Sequence, residues 1–107
     1  MISKEDFLAL ARTGWEKYGY ESGYLYRSGP GSRSTSSIIY EDTESACIVG
    51  AAAAADFVIG ADAWKWAGYN LSDMPNHMWS KIVHASNNAG SIEEALVAVE
   101  ALDWSAT

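Results

Sequence analysis

Cysteine and basic residues are scarce in this chain of 107 residues. Cys47 is the only cysteine, which excludes an intramolecular disulfide and is typical of a protein of the reducing cytoplasm. The seven Lys and Arg residues are outnumbered by fourteen Asp and Glu residues, and the formal net charge is −7. Because nucleic acids are bound through basic surfaces, direct binding to DNA or RNA is not expected. The carboxylates occur singly or in twos and threes, whereas a protein that imitates DNA needs a denser array.

A hydrophobic run long enough to span a membrane is also missing. The longest candidate covers residues 46–61, and it falls short of the ~20 apolar residues that a membrane helix needs. It also contains Asp56, whose charge would be costly in hydrocarbon. The N-terminal residues, MISKEDF, lack the pattern of a secretory signal peptide. We therefore expect a cytoplasmic protein without membrane association.

This Ala-rich run is instead expected to form a buried helix at the centre of the protein. Four of its residues share a narrow stripe at ~100° per residue, namely Cys47, Ala51, Ala54 and Val58. Other apolar residues cover almost all of the remaining circumference, which is typical of a helix with neighbours on several sides. Asp42 or Thr43 would cap this helix, with Glu44 in its first turn. Gly60 would end it.

Three more helices are predicted from start signals and apolar periodicity. They begin at Ser3, at Ser72 or Asp73, and at Ser91, where SIEE forms a capping box. The short stretch ADAWKWAGYN, residues 61–70, is expected to be helical or irregular.

Between the first helix and the Ala-rich helix, the periodicity changes. GYLYR at residues 23–27 and SIIYE at 37–41 are rich in aromatic and β-branched residues, which indicates a β-hairpin. The segment between them, SGPGSRSTS, is expected to be a flexible loop at about residues 28–36. The predicted fold class is therefore mainly α: a single domain of residues 1–107 with four helices arranged around the central Ala-rich helix. A short β-hairpin or irregular insertion separates helices 1 and 2.

Aromatic residues are abundant, with five Trp, six Tyr and two Phe. Trp and Tyr are favoured at protein interfaces because a large apolar body carries one hydrogen-bonding tip. A domain of this size has little core volume in which to bury five indole rings, so self-association is expected. The candidate contact residues are Trp64, Trp66, Tyr69 and Trp79. The alternative for each of them is ordinary packing in the core.

Polar residues within helical segments offer few sites for chemistry. Asp56 either lies at the protein surface or has a hydrogen-bond partner within the protein. The alternative is that its carboxylate lies in a shallow Ala-lined cleft and faces a ligand. His77 and His84 lie two turns apart on one helix, with Lys81 between them. The rise of ~10 Å and the intervening ammonium group argue against a shared metal ion. A solvated polar face is the better interpretation.

Two short motifs in the second half of the chain carry a resemblance to a family. CIVGAAAAA, at residues 47–55, places Cys and then Gly-Ala at the start of an Ala-rich helix. NNAGSIEEAL, at residues 87–96, places an Asn-rich turn, a Gly, a hydroxyl residue and paired Glu residues at the start of the last helix. Over roughly residues 44–102 the chain resembles a poorly characterised family of small proteins from actinobacteria and their bacteriophages. Asn88 departs from the family pattern, which often has Asp there. The resemblance implies a cytosolic accessory protein, which acts in the host cytoplasm if it is phage-encoded, and implies no activity.

The sequence shows neither a nucleophile–base pair nor a metal-ligand spacing, and we predict no catalytic residue, metal or cofactor. Together with the excess of Trp and Tyr, this favours a non-enzymatic interaction protein whose partner is another protein, a host protein if the chain is phage-encoded. A homodimer or another homo-oligomer is a further expectation. One alternative is a small ligand-binding protein or enzyme that uses Asp56, with His77, around an aromatic pocket. The second alternative is an acidic mimic of nucleic acid.

Overall fold

The computed structural model describes residues 2–21, 25–28, 35–56, 60–74 and 76–104, without the side chains of Asp56 and Asn76. These ranges contain five helices and four short strands. In chain order they are α1 (Lys4–Trp15), β1 (Gly19–Tyr20), β2 (Tyr26–Ser28), β3 (Thr35–Ser36), β4 (Thr43–Ala46), α2 (Ile48–Asp56), α3 (Ala63–Asn70), α4 (Asn76–Asn87) and α5 (Ile92–Glu100). None of the helices in these ranges combines the length and the apolar character that crossing a membrane requires.

The four strands form one mixed sheet in the order β1-β4-β2-β3. β1 runs parallel to β4, whereas β2 is antiparallel to both of its neighbours, β4 and β3. Ala46 of β4 is paired with Tyr20 on one side and with Tyr26 on the other. The prediction of a mainly α, four-helix arrangement around a central Ala-rich helix is therefore wrong. The described residues form an α+β fold with five helices and a sheet.

The prediction fails at residues 43–46, where the sequence indicates the start of the Ala-rich helix and the structure has β4. Instead of capping a helix, the Thr43 hydroxyl accepts a hydrogen bond from the Tyr40 N–H at 2.9 Å. The turn at this point leads residues 43–46 between β1 and β2, which supply backbone partners on both sides. α2 follows directly, and its first turn is closed by a bond of 2.8 Å from the Ala51 N–H to the Cys47 carbonyl. Pairing with strands distant in sequence thus overrides the local helix signal.

α2 is nonetheless a buried helix. The side chains of residues 51–54 are at most 1% exposed. α1 is its main neighbour, and α3, α4 and β4 also contact it. Residues 57–59 of the predicted helix lie outside the described residues. Gly60, its predicted end, has a φ of 95°, a conformation that glycine adopts with little strain.

A hairpin is present near the predicted position, but its second strand differs from the predicted one, and it is part of the larger sheet. Residues 23 and 24 of the predicted first strand lie outside the described residues. β2 and β3 pair antiparallel, but β3, at Thr35–Ser36, lies in the predicted loop and ends before the predicted second strand at residues 37–41 begins. Ile38 instead forms an isolated bridge with Asp62, next to α3. Residues 29–34, most of the predicted flexible loop, lie outside the described residues.

Side-chain caps set the starts of three helices. The Ser3 Oγ accepts from the Asp6 N–H at 3.1 Å at the start of α1. At α5, the Ser91 Oγ accepts from the Glu94 N–H at 3.2 Å, and the Glu94 carboxylate accepts from the Gly90 N–H at 2.8 Å. The cap of α3 is described below, because it positions the candidate site. Such caps satisfy backbone N–H groups that have no partner within the helix.

Candidate functional site

α3 presents one side to the core and the other to solvent. It begins where the Asp62 carboxylate accepts a hydrogen bond from the Trp64 N–H at 2.8 Å. Its inward side is formed by three buried residues, Ala63, Trp66 and Ala67. Its outward side is formed by four exposed residues, Trp64, Lys65, Gly68 and Tyr69. We call these four residues the α3 face.

Trp64 and Trp66 are two residues apart and therefore lie on opposite sides of α3. Trp64 is 60% exposed, whereas Trp66 is 3% exposed. The Trp66 ring centroid lies 6.4 Å from that of Phe7, and the Phe7 ring lies 5.5 Å from that of Trp104. Trp66, although predicted as a contact residue, is thus packed in the core and is not part of the α3 face.

Exposed large hydrophobic side chains are concentrated near α3. Among the described residues they are Tyr40, Trp64, Tyr69 and Val97, and Tyr69 is 88% exposed. The Tyr40 segment is joined to the residues that precede α3, because the Ile39 carbonyl accepts from the Gly60 N–H at 2.7 Å. The Ile39 N–H also donates to the Ala61 carbonyl at 3.1 Å. Three of the four side chains therefore belong to α3 or to the segment bonded to its approach.

Trp64 and Trp79 line the same groove, which has a volume of about 340 Å³. α4 contributes Trp79 and Val83, one helical turn apart, and Val49 of α2 adds a further apolar side chain. Hydroxyl residues 35–37 line another part of the groove. None of the described residues that line it is Asp, Glu, Lys, Arg or His. The groove is therefore uncharged, with an apolar part and a part that carries hydroxyl groups.

Cys47 also lines the groove, at the residue before α2. Burial raises the pKa of the Cys47 thiol, and hydrogen bonds from the backbone N–H groups of Gly50 and Val49 offset part of that rise. The thiol is therefore protonated at neutral pH. A reactive cysteine needs a lowered pKa or an adjacent base, so Cys47 does not have the character of an activated nucleophile.

The other candidates from the sequence are Asp56 and the two histidines of α4. Asp56 is the last residue of α2, and its side chain lies outside the described residues. His77 and His84 are both exposed on α4. His84 lines a more open depression that shares Trp79 and Val83 with the groove. Within the ranges described, no group of three or more His, Cys, Asp and Glu side chains is arranged to hold a metal ion.

Sequence reasoning missed the groove because separate segments build it. The i, i+4 spacing of Trp79 and Val83 is a signal that these two side chains share a helix face. Nothing in the sequence indicates that Cys47 and Val49 also line the groove, because both fit the pattern of a buried helix.

Comparisons of the chain with protein-family models, with curated proteins and with solved structures give no significant match.

Proposed function

We propose that this protein is a non-enzymatic interaction protein that binds another protein through the α3 face. The observation that carries the proposal is the exposure of Trp64 and Tyr69, at 60% and 88%, on one short helix. Each of these side chains offers a large, rigid contact area with a hydrogen-bonding tip. Trp and Tyr at the centre of an interface are commonly the residues whose truncation costs about 2 kcal/mol or more of binding free energy.

Gly68, between Trp64 and Tyr69, supports the same surface. A glycine inside a helix costs about 1 kcal/mol relative to alanine. A Cβ atom on Gly68 would meet no heavy atom within 4 Å, so packing within the chain does not require glycine here. A partner that approaches the α3 backbone closely does supply a reason for it.

The net charge of −7 indicates the character of the partner. An acidic protein associates fastest with a basic surface, and this attraction weakens as salt is added. We therefore propose a partner that is basic overall and presents an apolar contact site to the α3 face. The resemblance to actinobacterial and phage proteins extends the proposal to a host protein if the chain is phage-encoded. The single free cysteine supports the cytoplasm as the compartment.

The test compares matched variants of the immobilised protein in capture from an actinobacterial lysate. The double variant Trp64→Ala/Tyr69→Ala removes both aromatic side chains of the α3 face. Val97→Ala is the control, because Val97 is an exposed hydrophobic residue on α5. We expect the native chain and the control to retain the same dominant protein and the double variant to lose it.

Light scattering on the purified chain identifies a second copy as the partner instead. A dimer that dissociates in the double variant assigns the α3 face to self-association. Equal capture by all three proteins, together with an unchanged molecular mass, rules out the α3 face as an interface.

A further inference from the structure

We infer that the groove behind Trp64 is a binding site for a small uncharged aromatic molecule that carries a hydrogen-bonding oxygen. The groove shares Trp64 with the α3 face, but the inference does not depend on protein binding at that face.

The size of the groove suits a small molecule. Its volume of about 340 Å³ lies within the range of about 300–1,000 Å³ that is typical of ligand pockets. At about 30 Å³ per water molecule, this is the space of roughly ten waters, enough for a two-ring compound.

The apolar part of the groove suits a ring. Trp64 and Trp79 contribute two indoles, and Val49 and Val83 contribute aliphatic side chains. Aromatic rings pack favourably against indoles in offset or tilted arrangements, beyond the gain from burial alone. Three tilted ring pairs occur among the described residues, Trp15 with Tyr20 and the two pairs of Phe7, and none of them involves either of these indoles. A ligand ring in the groove therefore need not displace any of these three ring pairs.

The hydroxyl groups that line one part of the groove favour a ligand that carries a hydrogen-bonding oxygen. The Ser36 Oγ accepts a hydrogen bond from the Ile38 N–H at 3.0 Å, which leaves its O–H as a donor. Ser37 lines the groove beside it. A hydroxyl or carbonyl oxygen on the ligand can accept from such a donor, while the ring occupies the apolar part.

The absence of charge from the lining excludes ions as good ligands. No carboxylate, ammonium, guanidinium or imidazole group of the described residues lines the groove. An ion that enters such a site loses hydration without gaining a counter-charge. Anions are further disfavoured by the net charge of −7.

The test uses three probes that share one naphthalene ring and differ in charge at pH 7.5: neutral 1-naphthol, anionic 1-naphthoate and cationic 1-naphthylmethylammonium. Binding is followed by the indole N–H signals of Trp64 and Trp79 in two-dimensional NMR spectra. We expect 1-naphthol to shift both signals and the two charged probes to bind at least about tenfold more weakly. Equal binding of the three probes, or shifts that miss both indoles, overturns the inference.

Cys47 supplies a second readout on the unaltered chain, because it is the only cysteine and lines the groove. Uncharged iodoacetamide should alkylate it more slowly when 1-naphthol is bound. At a probe concentration ten times the dissociation constant, the rate should fall about tenfold, since only the free protein reacts. An unchanged rate at saturating 1-naphthol contradicts the proposed location.

Matched variants separate the groove from the α3 face. Val83→Trp fills the groove and should abolish the effect of 1-naphthol, whereas Val97→Trp makes the same change on the exposed side of α5 and should not. Tyr69→Ala, which does not alter a lining residue, should leave 1-naphthol binding intact even where it weakens protein capture. Retained binding in a folded Val83→Trp variant overturns the inference without affecting the α3 face.

Discussion

Gly14 of α1 lies directly against the backbone of Ala51 in α2: a Cβ atom placed on Gly14 would come within 1.7 Å of the Ala51 carbonyl oxygen. Ala11, one turn earlier in α1, is fully buried as well. The two helices can approach this closely because neither presents a large side chain at the contact. Gly50 makes a similar approach on another side of α2, where a Cβ atom would lie 2.2 Å from the Leu25 carbonyl oxygen.

Gly14→Ala should therefore be strongly destabilising, because the added methyl group meets backbone rather than a side chain that can move. We expect a loss of about 3 kcal/mol or more in the free energy of unfolding, measured by urea denaturation. Gly68→Ala is the matched control, since a Cβ atom there meets nothing within 4 Å. It should stabilise the helix by up to about 1 kcal/mol. Similar losses in the two variants would contradict the close helix contact.

The buried α2 could be predicted from sequence because its signals are local. A run of alanines favours a helix, and apolar residues on all sides indicate burial. β4 could not be predicted in this way, because Thr43 resembles a helix cap when it is read alone. The partners that make residues 43–46 a strand are β1 and β2, which lie 15 or more residues earlier in the chain and are themselves only two or three residues long. Such short strands have little periodicity to detect.

The candidate site was predictable only in part, for a related reason. The sequence does not show that residues 63–70 form a regular helix, and so it does not show which of Trp64 and Trp66 faces the core. The structure resolves this through the helical phase, which places the two indoles on opposite sides. Two predicted residues, Trp64 and Trp79, are brought together at the groove, while Tyr69 lies on the exposed side of α3.

Replacing the two indoles of α3 should have very unequal effects on the free energy of unfolding. Trp66→Ala removes a buried ring that packs near Phe7, and it should cost about 3–5 kcal/mol in the free energy of unfolding. Trp64→Ala should change it by no more than about 0.5 kcal/mol, because the side chain is largely in solvent. Urea denaturation followed by circular dichroism measures both. A Trp64→Ala variant as unstable as Trp66→Ala would show that the α3 face is not a free surface.

Stability should fall at alkaline pH because of two groups, the half-buried thiol of Cys47 and the buried hydroxyl of Tyr26. Burial raises the pKa of the Cys47 thiol above its ordinary value of 9.0 and the pKa of the Tyr26 hydroxyl above its ordinary value of 10.0. Above these values the folded state holds more protons than the unfolded chain, so the free energy of unfolding decreases as pH rises. The stabilisation that the two groups contribute to the free energy of unfolding is fully present below about pH 8 and is lost progressively above about pH 9.

The measurement is the slope of unfolding free energy against pH between about 8.5 and 11, compared in the native chain and in Cys47→Ala/Tyr26→Phe. Tyr26→Phe also removes the hydrogen bond of 2.7 Å from the Tyr26 hydroxyl to the Gly50 carbonyl, which lowers the free energy of unfolding at neutral pH as well. The slope against pH is therefore compared rather than the absolute value. The variant should keep a smaller slope, since burial also raises the pKa of Tyr20. An undiminished slope would assign the alkaline loss to other groups.

Gly68 should separate stability from binding at the α3 face. In the series Gly68→Ala and Gly68→Leu, the fold should tolerate both changes, because the position opens onto solvent and both residues favour helix. If a partner backbone approaches Gly68, each larger side chain should hold it further away, so capture of the partner should decrease from Gly to Ala to Leu. We expect Gly68→Leu to weaken binding at least about tenfold, or 1.4 kcal/mol, in titration against the captured protein.

Val97→Leu is the control, since it enlarges an exposed helical residue elsewhere. Full affinity in Gly68→Leu would place the interface away from this glycine, and the stability gain in Gly68→Ala would then leave the glycine without a functional reason.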